Sequence, residues 1–483
     1  MTTNAPHFSR RRFLGSMLTL AGTSAAPFAL NLAAMGNAAA QSANDYKAMV
    51  CLFLAGGNDT FNTVLATDPT SWNEYLRVRN TGGSDSIHLP GVSETGGVLP
   101  ITPATAQAGR SFALHPSLGP LKELFDGGRA AVVANVGTLI APTTLAQYKA
   151  RSVALPPKLF SHNDQQSTWQ SGQPEGASVG WGGRLGDLTV AGNTNAMFTA
   201  ISAAGNTVFL SGRQVRQFQV GQGGAVAIRG ASGNLFGTPA GSTALQAILA
   251  DAGNDLIEQE QKAVVQRAIS SQAILSSSML AAGPTGVPNP STYINPTTGV
   301  AAVNPLAVQL QTVARIIGAR GALGAKRQVF YVTLGSFDTH DRQKVLHADL
   351  MARLAHALAY FDTTLAALQG SDLRNQVTTF TASDFGRTFT SNGDGTDHGW
   401  GAHHFVVGGA VRGRDIYGAY PTTGLGHELD VGSGSLLPTT SVDQYGATLA
   451  KWFGVPDSQL GEVFPNLANF SKRDLGFMTA QPA

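Results

Sequence analysis

Aspartates and histidines recur in this chain where a backbone could gather them around a cation. Asp384 stands just past the run Val377-Thr378-Thr379-Phe380-Thr381, and His398, His403 and His404 follow it across a glycine-rich stretch. Asp338 and His340 lie two residues apart after the run 328–334, so an extended backbone would project both to one side. Asp59 follows a third apolar run, 46–55. Carboxylate and imidazole without thiolate suit Zn²⁺, Mn²⁺ or Fe better than an all-oxygen Ca²⁺ cage, with Zn²⁺ the first expectation and Ca²⁺ still open. Two such clusters could support a two-metal centre, one ion activating a nucleophile and the other steadying an oxygen of a phosphoryl or sulfuryl group. Arg387, three residues past Asp384, could clamp such an anion with both arms of its guanidinium. Thr60, Thr138 and Ser161 are nucleophile candidates, none of them set in a recognisable motif. The bland alternative is that Asp-x-His is fortuitous and His403-His404 a hydrogen-bonded core pair. Asp384-Phe385-Gly386 is not a kinase signature, because no phosphate loop or His-Arg-Asp loop accompanies it.

Positioning these groups requires strands that end at a common edge. The run 46–55 is apolar without alternation, as expected of a strand covered on both faces. The turn Gly56-Gly57-Asn58-Asp59 would then place Asp59 at the carboxyl end, where open α/β sheets bind ligands. The runs 130–136, 328–334, 377–381 and 405–408 read as further strands. Helical spacing covers 242–280, 306–319, 342–368 and 444–453, with Leu346, Leu350, Leu354, Leu358, Phe361 and Leu365 forming one stripe. Residues 66–110 read as loop. The polar run Ser161-His162-Asn163-Asp164-Gln165 fits a binding loop and a helix start capped by Ser161 equally well. His115, His347 and His356 read as caps, packing or surface residues. Residues 190–305 read as an insertion or cap on the sheet, and 282–305 within it as a proline-rich excursion. The fold expected is α/β, with a central, mostly parallel sheet flanked by helices.

The first forty residues stand apart. Ser9-Arg10-Arg11-Arg12-Phe13-Leu14 resembles a twin-arginine export motif, a mildly apolar run follows, and Ala38-Ala39-Ala40 offers a cleavage site. Gly15, Gly22, Pro27 and Asn31 make that run a poor spanning helix. The expectation is a periplasmic or secreted protein that meets the twin-arginine translocation machinery, with residues 41–483 as the mature chain and no integral span in it. The formal charge of the whole chain is +2. Residues 1–40 hold three arginines and no acid, so the mature charge is −1. No basic patch points to nucleic acid. Cys51 is the only cysteine, which excludes an internal disulfide and a thiolate cluster. Glycine is abundant, 57 of 483 residues, so many irregular turns are expected.

FLAGGNDTFN (53–62), FSHNDQQSTWQSG (160–172), SFDTHDRQ (336–343), the segment 381–409 and Tyr417-Gly418, together with the leader, resemble the exported bacterial family catalogued as domain of unknown function 1501. That family is grouped with the alkaline phosphatase and sulfatase superfamily. The resemblance implies metals at the carboxyl end of the sheet, with Asp59 as the first-strand ligand, Asp338 and His340 as a ligand pair, and Asp384 as the late aspartate. One or more of His398, His403 and His404 would supply the terminal histidine. The superfamily spaces its aspartate–histidine pair four apart, whereas here it is two. Phe385 stands where the superfamily has a histidine after the late aspartate. The function implied is a metal-dependent hydrolase of phosphate or sulfate esters, acting on an anionic small molecule or polymer. The alternative is a non-catalytic exported binding or assembly protein that keeps the fold.

Overall fold

The computed structural model describes residues 46–227, 230, 234–250 and 255–479. Residues 1–40, expected from the sequence to be an export leader, lie outside the described residues. Ten strands form one sheet, in the order Ile416–Tyr417, Ala130–Gly137, Ala402–Val407, Val377–Ser383, Lys47–Leu54, Arg327–Leu334, Ala200–Ser202, Phe218–Gly221 and Gly224–Ala225, with Thr440–Ser441 pairing beside Ala130–Gly137. Six of the nine strand pairings are parallel. Ala402–Val407 runs antiparallel to both its neighbours, and Gly224–Ala225 antiparallel to its one. The architecture is therefore the mixed α/β one with a mostly parallel central sheet flanked by helices.

The unbroken apolarity of Lys47–Leu54 has its cause in the two covered faces. Every residue of the strand is buried. Ala48, Val50, Leu52 and Leu54 face one apolar layer, while Met49, Cys51 and Phe53 face the other, as a period of two dictates. Helices Gly119–Asp126, Pro305–Gly318 and Gln343–Ala366 cover the first layer. Helices Trp181–Thr189 and Val442–Phe453 cover the second, with Trp169 of helix His162–Ser171 among them. Of the leucine stripe on Gln343–Ala366, Leu346 alone stays outside the core, 37% exposed in the first turn.

Two stretches differ from the sequence reading. Residues 66–110 are not all loop. They hold helix Pro69–Arg79, started by Asp68 accepting from Ser71 N–H with Pro69 in the first turn, and strand Leu99–Ile101 in a small sheet with Phe112–Leu114 and Val64–Ala66. Aspartate before proline is a good helix start, but polar composition hides it. Residues 190–305 extend the sheet by three short strands and then leave it as helices Pro239–Ala250 and Leu256–Ser278. Among the described residues no helix is long and apolar enough to cross a membrane.

Candidate metal centre

Lys47–Leu54 pairs in parallel with both Arg327–Leu334 and Val377–Ser383, and Leu54, Leu334 and Ser383 share the last rung. The three loops that follow therefore start together. Gly56 is their hub. Its φ is +117°, and a Cβ there would sit 2.3 Å from the backbone nitrogen of Asp338, so no other residue fits. Its N–H donates to Asp384 Oδ1 at 3.1 Å and its carbonyl accepts from Arg387 Nη1 at 3.2 Å. Two more segments complete the site. Helix His162–Ser171 presents His162 from its first turn, and the ribbon of Arg387–Ser391 with Thr396–His398 ends in His398, paired with Arg387.

Three ligand atoms converge here. Asp338 Oδ1 lies 3.5 Å from His162 Nε2 and 3.4 Å from His398 Nε2, and the two nitrogens are 3.1 Å apart. Zinc bonded at ~2.1 Å to tetrahedral ligands separates them by about 3.4 Å, so these three atoms form one face of such a site. The tautomers agree. His398 Nδ1–H must donate to the Phe160 carbonyl at 2.7 Å, and His162 Nδ1–H donates to Asp384 Oδ2 at 2.6 Å. Each neutral ring therefore turns an Nε2 lone pair toward the other. Two lone pairs and a carboxylate at such distances repel unless a proton or a metal cation lies between them, and the donor set fits a borderline-soft divalent ion. His340 Nε2 sits 3.0 Å from both Asp338 Oδ1 and His398 Nε2, on the solvent side, with its Nδ1 3.3 Å from Asp397 Oδ1.

The electrostatics are set by four neighbours. Burial works to raise the Asp338 carboxyl pKa, but the Arg387 hydrogen bond at 2.7 Å and the charges of Arg387, His340 and His162 overcome it and lower the value. The hydrogen bond to Asp384 raises the pKa of His162 against its desolvation. Burial lowers that of His398, and the charges of His162 and Arg387 push the same way. Gln166 Nε2–H fixes Asp384 further, donating to Oδ2 at 2.8 Å. The Asp338 side chain is 44% exposed, and those of His162 and His398 about a quarter, so the triad opens to solvent.

Asp338, His340, Asp384, Arg387 and His398, all singled out in the sequence, meet at this place, but not all as ligands. Asp384 stands one step back, its carboxylate holding His162 rather than facing the cation position. Arg387 is wholly buried and spends its guanidinium on Asp338, the Gly56 carbonyl and both Thr396 oxygens. It is not free to clamp an anion. Asp59 goes elsewhere. It is buried against Arg79, and its two oxygens accept four hydrogen bonds, two from Arg79 (2.6 and 3.0 Å), one from Gln343 and one from Phe61 N–H, which uses its accepting capacity. Thr60 is buried too, its Oγ1 accepting from His403 N–H at 2.8 Å.

His403 and His404 are core residues. They lie on adjacent positions of strand Ala402–Val407, so their rings face opposite sides of the sheet. His403 Nδ1 accepts from Asn135 N–H at 3.0 Å and stacks near Tyr420, whereas His404 packs between Trp169 and Tyr445 and meets Thr381 Oγ1 at 3.3 Å. Burial lowers both pKa values to about 3. The residue of the triad that sequence reasoning missed is His162. The run Ser161-His162-Asn163-Asp164-Gln165-Gln166 carried the signal, because a helix start with so many polar side chains buries Asp164, Gln165 and Ser167, a pattern that calls for buried partners.

No protein with a curated description matches the chain. Among solved structures, that of the PsFucS1 sulfatase from Pseudoalteromonas sp. aligns over 93% of this chain and 76% of its own, at 11% identity and a TM-score of 0.31. That of Ps i-CgsB in complex with k-i-k-neocarrahexaose aligns over 89% and 77%, at 9% identity and a TM-score of 0.34. Likenesses this distant say nothing about chemistry. The family assignment is firm, because one model matches residues 46–454 and so takes in every strand end and loop that builds the centre. The chain belongs to the family described as protein of unknown function (DUF1501).

Proposed function

We propose that this protein is an exported metal-dependent hydrolase whose His162, Asp338 and His398 hold a single divalent cation, zinc foremost. The observation that supports this reading is the convergence of two imidazole nitrogens and one carboxylate oxygen within 3.5 Å of each other. Three protein ligands with a solvent-facing side are the pattern of catalytic rather than structural zinc. A cation bound there would supply Lewis acidity and lower the pKa of a water molecule toward neutrality.

The residues around the triad have separable tasks. Asp384 and Gln166 orient His162. The Phe160 carbonyl orients His398. Arg387 neutralises Asp338 from the buried side, which keeps its carboxylate ionised and fixed. His340, with Asp397 behind it, lines the open side within reach of anything that enters. A hydrolase of this kind takes its nucleophile from water, which accords with the engagement of Thr60, Thr138 and Ser161 in hydrogen bonds to His403, Gln165 and Asp164. Phosphate or sulfate esters remain the substrate class, on the resemblance of the 381–409 segment and not on Arg387. Export by the twin-arginine route follows from the leader. A second reading, a binding or assembly protein that keeps the cation but turns nothing over, is favoured by Arg387, whose guanidinium is spent on Asp338, Gly56 and Thr396 and has no arm for an anion.

The test is elemental analysis of the exported protein, followed by a panel of aryl phosphates, sulfates and diesters. Stoichiometric metal with turnover is expected. Protein purified without chelators that holds no stoichiometric metal sinks both readings, and a loaded protein inert on the whole panel leaves only the second.

A further inference from the structure

We propose that Phe160 is a positioning residue of the metal centre. Its left-handed backbone aims its carbonyl at His398 Nδ1 and so fixes the tautomer that shows His398 Nε2 to the triad. Phe160 has a φ of +71°. A left-handed conformation is a genuine outlier for a bulky aromatic residue, and such residues persist only where the surroundings hold them, most often at functional sites.

The surroundings here are specific. Pro156 and Pro157 stiffen the approach. Lys158 is also left-handed, with φ +48°, and its carbonyl accepts from Ser161 N–H at 3.2 Å, closing a tight turn around Phe160. Ser161 Oγ donates to Asp164 Oδ2 at 2.9 Å, tying the turn to the helix that follows. The Phe160 ring packs with Leu155 and Leu159 on the cluster that contains Trp400. Trp400 is itself pinned by its indole N–H to the Thr138 carbonyl at 2.9 Å, and it lies two residues from His398. One short strap thus carries ligand His162 directly and supplies the acceptor for ligand His398, and the ring anchors it to the segment it orients.

The metal consequence of this proposal rests on the triad reading, whereas the tautomer does not. The experiment compares Phe160→Gly, which adopts positive φ freely, with Phe160→Pro, whose φ is locked near −65°. On metal-free protein with labelled histidine, two-bond ¹H–¹⁵N spectra report the His398 tautomer, and chelator competition then gives the Zn²⁺ affinity. Wild type and Phe160→Gly should both show Nδ1–H at His398, the glycine variant losing only the part of the zinc affinity that the ring's packing on the Trp400 cluster supplies. Phe160→Pro, with circular dichroism and urea midpoint showing it folded, should show mixed tautomers and zinc binding weakened by about 10–100-fold, the usual effect of removing a partner that orients a ligand. The proposal is overturned by Nε2–H at His398 in wild type, by a folded proline variant with the wild-type tautomer, or by a glycine variant as impaired as the proline one. Should the proline variant fail to fold, the wild-type and glycine tautomers decide alone. An Nδ1–H tautomer in a protein that takes up no zinc leaves the positioning intact and sinks the triad reading instead.

Discussion

One oxygen atom, Asp338 Oδ1, receives Arg387 at 2.7 Å, His340 at 3.0 Å, His398 at 3.4 Å and His162 at 3.5 Å. A carboxylate so placed is held in register by the buried guanidinium and offered to a cation on its open side. Asp338→Ala, His162→Ala and His398→Ala should each abolish stoichiometric zinc in equilibrium dialysis. Asp384→Asn, which keeps an acceptor beside His162 but removes its charge, should weaken zinc by about 10–100-fold. The buried histidines make a different prediction. Burial lowers the pKa of His347 to about 4 and those of His403 and His404 to about 3. The folded values lie below the unfolded one near 6.5, so acid favours the unfolded chain. Their contribution is complete above pH ~6.5 and is lost as pH falls, at about 1.4 kcal/mol per unit for each fully titrating histidine. Asp443, raised by burial to about 6, works oppositely and loses stability as pH rises from ~3.8 through 6. Between pH 6 and 5 these three histidines outweigh Asp443 by about 2–3 kcal/mol per unit of acidification, and burial of His115, which holds its pKa well below the ordinary value, adds to the fall that urea unfolding should show. A flat profile there would show that these rings are not buried neutral. Of the site, the aspartates at strand ends were legible in the sequence. His340 and His398 were legible with them, but His403-His404 looks like a ligand pair until strand alternation is applied, and His162 stands alone in a polar run.

At the scale of elements, the shared last rung of Lys47–Leu54, Arg327–Leu334 and Val377–Ser383 brings Gly56, Asp338 and Asp384 together. The strands themselves could be read from continuous apolarity. Their order and register could not, because these depend on pairings between residues hundreds of positions apart. That gap explains the expectation for Asp59. It does follow a strand end, but the 3-10 turn Thr60–Asn62 that it caps carries it toward helix Pro69–Arg79, and Arg79 takes it. A buried ion pair of this kind, both side chains fully enclosed, is costly to break from one side. Asp59→Ala or Arg79→Ala should destabilise the fold by about 3–5 kcal/mol in urea unfolding, while zinc stoichiometry in the folded fraction stays at the wild-type value. Loss of metal without loss of stability in Asp59→Ala would return that carboxylate to the ligand set.

For the whole molecule, the triad joins three segments, 162, 338 and 398, that only the finished sheet assembles. A cation held there would favour the native state over the unfolded chain, and so would stabilise by mass action, ~2.7 kcal/mol at a hundredfold excess over Kd. Chelation should lower the melting temperature of the purified protein by a few degrees, and zinc, but not magnesium, should restore it. The leader carries its own test. Replacing Arg10 and Arg11 with lysine keeps the charge, and on the twin-arginine reading it should leave precursor inside the cell in fractionation by immunoblot. The α/β class was legible because alternating buried runs and amphipathic helices leave few other architectures. The helix Pro69–Arg79 was hidden by polarity.

The strand Ala402–Val407 runs against both of its neighbours, and this has a topological result. The chain that departs after Asp384 returns to the sheet at the border it left, with no crossover helix in between. The excursion is an arch with both footings in the core. Its crown, residues 392 and 393, is exposed and holds no ligand. Lengthening a loop there changes closure entropy by only ~0.6 kcal/mol per doubling. The crown is where this scaffold can gain new sequence, and reach outward, without moving the triad beneath it.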